Sequence, residues 1–197
     1  METVLQFGGY QMPSPTFTLI AGTTLSSETN VFQFNSISQS YTDLRLYTSL
    51  RGTETSGNDV NAWIRWNGAT SGWSSILALP GSNTTTTSTI QSGISSGSWT
   101  NNRGMHGGGI IPTSNGTANS FNSSFILLPR YNYQGTLHRR TAYTESANYR
   151  AGGNNTFLVQ AASGVNSGAV VSSITIQTES GNFAVGSSVY LYGCTSS

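Results

Sequence analysis

Seven carboxylates, two histidines and one cysteine are the groups in this chain from which acid, base or nucleophilic chemistry would have to be built. A hydrolase needs paired carboxylates, a Ser/His/Asp set or a Cys/His set, held where their pKa values can be tuned. Glu2, Glu28, Asp43, Glu54, Asp59, Glu145 and Glu179 stand singly along the chain, with no adjacent pair. His106 lies in Arg103-Gly104-Met105-His106-Gly107-Gly108-Gly109 and His138 in Leu137-His138-Arg139-Arg140. On an alternating strand or a glycine-rich loop, a hydrogen-bonded structural role is the ordinary one for histidine. The run Gly107 to Gly109 lacks the Lys-Ser/Thr that completes a phosphate loop, so it points to backbone freedom or the close approach of another chain. The single Cys194 can form no internal disulfide, and no Cys/His pattern has zinc-ligand spacing. Near the C-terminus it is expected to be a disordered, idle thiol. No catalytic residue, metal or cofactor is assigned, and the expectation is a protein that is not an enzyme.

Binding is better provided for than catalysis. Trp63 and Trp66 are three apart on an alternating segment, so they point to opposite faces and at most one is expected in the core. Core packing is the first reading of these rings; if one is exposed, Trp66, near Asn61, Arg65 and Asn67, is the candidate to anchor a subunit contact or to stack on a sugar ring. The adjacent Arg139 and Arg140 face opposite ways on a strand. One is expected to bridge a carboxylate across an interface and the other to be solvated. Charged residues make up 8% of the chain, against roughly 25% in ordinary domains, and the formal net charge is +1. That charge leaves no electrostatic footprint for nucleic acid or an anionic membrane. All eight cations are arginine. This bias suits interfaces, and with so few charges to solvate it, much of the surface is expected to be covered in the working state.

The elements that must position these residues are strands. Periodicity of two runs through Asn30 to Phe34, Leu44 to Tyr47, Val60 to Trp66 and Ile174 to Ile176. No segment carries a clean helical period, although short helical turns are expected near Ala147. Turn chemistry at Ser56-Gly57-Asn58, Asn67-Gly68, Asn115-Gly116 and Ser180-Gly181-Asn182 punctuates the chain. Strands are expected near 16–24, 29–36, 42–51, 59–67, 73–79, 86–94, 104–111, 122–130, 135–147, 155–162, 169–179 and 186–193. The pattern is all-β: an antiparallel β-sandwich of jelly-roll type occupying 16–197 as one domain. Residues 1–15, with Pro13, Pro15 and the Gly8-Gly9 pair, read as an extended N-terminal arm whose Leu5, Phe7 and Tyr10 are apolar enough to dock on a neighbour. The Ser/Thr-rich stretch Ser82 to Ser98 reads as a surface strand and loop. No stretch approaches the roughly 18 apolar residues of a membrane helix.

Two segments carry a resemblance. Phe34-Asn35-Ser36-Ile37-Ser38-Gln39-Ser40-Tyr41-Thr42-Asp43-Leu44 is similar to the "F-x-S-I-P-x-x-Y-T-D-L" opening of a group of bacteriophage virion proteins common in marine and cyanobacterial phages, with Ser38 in place of the proline. Ile174 to Ser187, with Gly181-Asn182-Phe183, and then Tyr190-Leu191-Tyr192-Gly193 resembles the closing segment of the same group. The resemblance covers the two ends of the domain and leaves its centre unconstrained. It implies a structural protein of the virion: a capsid decoration (cement) protein on the capsid exterior, with a tail location as the other placement. The partners it implies are the major capsid protein and further copies of the chain, most simply a homotrimer. The alternative is the receptor-binding head of a tail or head fibre, gripping a host surface glycan.

Overall fold

In a computed structural model, residues 16–69, 73–79, 89–92, 105–135, 140–150, 155–165 and 167–195 are described. The arm with Leu5, Phe7 and Tyr10 lies outside them, as does Arg139. Among the described residues, twelve strands account for the regular structure: β1 (Phe17–Thr24), β2 (Val31–Phe34), β3 (Asp43–Leu50), β4 (Asp59–Trp66), β5 (Trp73–Leu79), β6 (Thr89–Ser92), β7 (Met105–Pro112), β8 (Asn122–Leu128), β9 (Arg140–Arg150), β10 (Asn155–Val165), β11 (Ile174–Thr178) and β12 (Ser188–Cys194). Among the described residues there is no helix, and Ala147, where helical turns were expected, sits inside β9. Its neighbours explain this: Thr141, Tyr143, Thr144 and Tyr149 are β-branched or aromatic and fit a pleated surface better than a helix.

The strands form two antiparallel sheets. The larger has the order β1-β12-β3-β8-β9-β10-β5-β6 and the smaller the order β2-β11-β4-β7. With two inserted hairpins, β5-β6 and β9-β10, set aside, successive strands alternate between the sheets except at β4 and β7, which pair with each other in the smaller one, and the two sheets form a β-sandwich. Alternation makes the core. Leu44, Leu46 and Leu50 of β3, Val60, Ala62, Ile64 and Trp66 of β4, Ile174 and Ile176 of β11, and Val189 and Leu191 of β12 all point inward and are buried. Burying each Leu, Ile or Val among them contributes about 1.5–3 kcal/mol relative to leaving it exposed. The resembling segments are part of this scaffold. Ile37 is buried and its N–H donates to Ser172 O at 2.9 Å, while Phe183 is buried against the Phe32 ring at 5.0 Å between centroids.

The glycine run has a role inside the chain itself. Ala62 pairs with Gly109 but Trp63 pairs with His106, so β7 bulges through Gly107 and Gly108. Gly109 has φ +74°, a conformation in which a side chain would be strained, and a Cβ there would lie 2.2 Å from Ser146 Oγ. The bulge presses the β7 backbone into a polar notch of the larger sheet. There Asn122 Nδ2 and Ser124 Oγ donate to Gly108 O at 2.8 and 3.0 Å. The close approach read from the glycines is therefore of β7 to β8 and β9.

Candidate binding face

Trp66 is on the inward face of β4 and 1% exposed, so it packs in the core and is no candidate for an exposed contact. Trp63, on the opposite face, is also buried, at 7%. The premise that only one face of this strand is covered fails, so both rings are buried. Arg140 is likewise interior. At 5% exposure it opens β9, and its guanidinium meets carbonyls where an interfacial carboxylate was expected: Nε donates to Ala169 O at 2.9 Å, Nη1 to Arg130 O at 3.2 Å and Nη2 to Gly168 O at 3.3 Å. Burial pulls its pKa down from the usual arginine value, and the three carbonyls compensate for the desolvated charge. Cys194 is an ordered, buried residue that closes β12 opposite Asp43 and Phe17, and burial pushes its thiol pKa up. It was expected to be disordered because of its position in the chain, but the β1 and β3 ladders hold it.

The described acidic side chains make separate contacts. Among the described residues no three of His, Cys, Asp or Glu come together in a group that could hold a metal ion. Glu179 accepts from Asn61 Nδ2 at 2.7 Å, and Asp43 accepts from the Arg130 backbone N–H at 2.8 Å. Glu145 accepts from Tyr143 Oη at 2.5 Å and from Gln160 Nε2 at 3.4 Å. His138 lies outside the described residues, and His106 occupies the β7 register position opposite Trp63.

What the fold does assemble is an aromatic surface on the outer face of the larger sheet. Register places Tyr190, Tyr47, Phe125, Glu145 and Gln160 in one row across five strands, and Tyr192, Arg45, Leu127, Tyr143 and Ala162 in the next. Phe17 and Leu19 of β1 extend the face at one end and Leu158 of β10 at the other. Six of the eight large hydrophobic residues exposed among the described residues lie here: Phe17, Leu19, Tyr47, Tyr143, Leu158 and Tyr190. The side chains brace one another. The Tyr47 ring sits 5.4 Å from Phe125 and 5.7 Å from Tyr192, and the Arg45 guanidinium lies 4.5 Å over Phe17 and 5.7 Å over Phe125. Such contacts hold the rings in place and leave fewer rotamers to freeze on binding. Tyr190 lies across Gly22, where a Cβ would come within 2.3 Å of the ring, and its hydroxyl is 3.2 Å from Thr24 Oγ1.

Aromatic residues and arginine, with few charges between them, are the composition of interface cores. Soluble monomers seldom leave so wide an apolar patch open. The sequence carried a signal for it. Strands β3 and β12 place large apolar residues at both parities, as in Leu44-Arg45-Leu46-Tyr47 and Val189-Tyr190-Leu191-Tyr192, and the outward parity of a two-layer sandwich stays exposed unless something further packs on it. Comparison with family models, with curated proteins and with solved structures found no match to this chain.

Proposed function

We propose that this protein is a structural attachment module that works by surface contact: a virion decoration protein of the phage group its end segments resemble, seated on the capsid exterior. The observation that carries the reading is the braced aromatic face of the larger sheet, an area suited to being covered by protein. The strand order supports the finer jelly-roll reading, because β1-β12-β3-β8 facing β2-β11-β4-β7 is a double Greek-key pattern. Fold alone does not specify function, so the argument rests on the face. In this reading the apolar arm, with Leu5, Phe7 and Tyr10, reaches the major capsid protein while the domain contacts further copies of itself. Several modest contacts at one site then add by effective concentration. The glycan-binding alternative loses its leading residue with the burial of Trp66.

The test is occupancy on the particle. Mass spectrometry of purified virions should find the chain in many copies per capsid. Deleting residues 1–15 should strip it from the capsid while leaving its unfolding midpoint unchanged. Absence from purified virions, or full occupancy without the arm, overturns the proposal.

A further inference from the structure

We propose that the aromatic face is a two-fold self-association surface on which Arg45 of one copy reaches Glu145 of the other. The inference rests on reading this face as an attachment surface and names the partner that covers it.

Size is the first argument. From β1 to β10 the face spans six adjacent strands. At about 4.8 Å per strand and 3.3 Å per residue, that is roughly 29 by 17 Å in projection, before the relief of the rings is counted. A stable pair needs on the order of 800 Å² of accessible surface from each partner, which a face of this extent with protruding rings approaches. Two sheets can stack face to face at about 10 Å in near-aligned fashion, the packing already used inside the sandwich.

Charge placement selects the occupant. Arg45 on β3 and Glu145 on β9 flank the same central strand, β8. A two-fold axis running along β8 in the interface plane lays β3 of one copy on β9 of the other. Arg45 then faces the Tyr143 and Glu145 pair twice over, once on each side of the axis. An axis across the strands would instead lay β3 on β3 and β9 on β9, leaving Arg45 without an opposing acid. The remaining charge near this face, Asp43, is at the β3 end and holds the Arg130 backbone N–H at 2.8 Å. Within the chain, the Arg45 guanidinium is flanked by the rings of Phe17 and Phe125, at 4.5 and 5.7 Å. A carboxylate brought in by a second copy satisfies a cation held in that setting. Isologous contacts require this self-complementarity.

Sedimentation of the full chain over about 1 to 100 µM tests the proposal, and the expected species is a dimer. Glu145→Arg and Arg45→Glu should each weaken dimerisation at least about tenfold, and combining them should restore it to within about threefold of the parent. Leu158→Glu, at the margin of the face, should also weaken it. Should Arg45→Glu fail to fold, the two variants at exposed positions still decide, because both must weaken the dimer. A monomer throughout the range, a trimer indifferent to the charge swap, or capture of a glycan or foreign protein by a chain that never pairs overturns the inference. A dimer that is absent from virions sinks the decoration reading and leaves the pairing. A virion-bound monomer does the reverse.

Discussion

The side-chain amide of Asn122 donates to the carbonyl oxygen of Gly108 at 2.8 Å, while its own carbonyl accepts the Leu50 N–H at 2.9 Å. One buried residue thus joins the β7 bulge of the smaller sheet to the β3-β8 ladder of the larger. Ser124 and Ser146 complete the notch, at 2.9 and 3.2 Å from the same amide nitrogen. A polar patch inside a sandwich is costly unless its members pair. Here the pairing also sets which β7 carbonyl enters the notch, and therefore the register of the bulge.

Asn122→Ala removes a donor and an acceptor at once and leaves the Leu50 N–H buried without its partner. A loss of about 2–4 kcal/mol is expected, read as a lower urea midpoint with an unchanged slope. Gly109→Ala should be at least as damaging, since it combines strain at positive φ with overlap on Ser146. A variant at Asn122 with parental stability would show that the notch contributes nothing to joining the sheets.

Trp66 packs in the core, and its indole N–H, which is buried, has no hydrogen-bond partner. Trp66→Phe should therefore cost only about 1–2 kcal/mol, the price of lost volume, whereas Trp66→Ala should cost about 3–5 kcal/mol. Neither change should alter self-association once the variants are compared under conditions where both are folded. A strong loss of dimer from folded Trp66→Phe would place this ring at the surface and contradict its burial.

The two-residue period of Leu44 to Leu50, Val60 to Trp66 and Ile174 to Thr178 carried enough information to place strands, because one parity of each is almost wholly apolar. It did not reveal where a strand is covered on both sides. Trp63 shows the consequence: its parity is outward, yet it is buried. Arg140 departs from its expected role for a related reason. Its role depends on the backbone carbonyls of Arg130, Gly168 and Ala169, which only the folded chain brings to one place. The aromatic face spans strands far apart in sequence. Tyr47, Phe125 and Tyr190 become neighbours through register, and no local spacing encodes that.

Cys194 is buried at the end of β12, and its thiol pKa is raised first by burial and then by the charge of Asp43, with Arg45 acting in the opposite direction. A thiol whose pKa is raised on folding holds its proton more tightly in the native state than in the unfolded chain. Its contribution is therefore intact below the unfolded value of about 8.5 and is lost as pH climbs from there towards the native value. Between pH 7 and 10 the urea midpoint should fall, and in Cys194→Ala it should fall less, from a start only about 1 kcal/mol lower. A thiol-specific chromogenic disulfide should react slowly with the native chain at pH 8 and rapidly in denaturant. Fast native labelling, or a pH profile identical in Cys194→Ala, would show that the β1 and β3 ladders do not shield this end of β12.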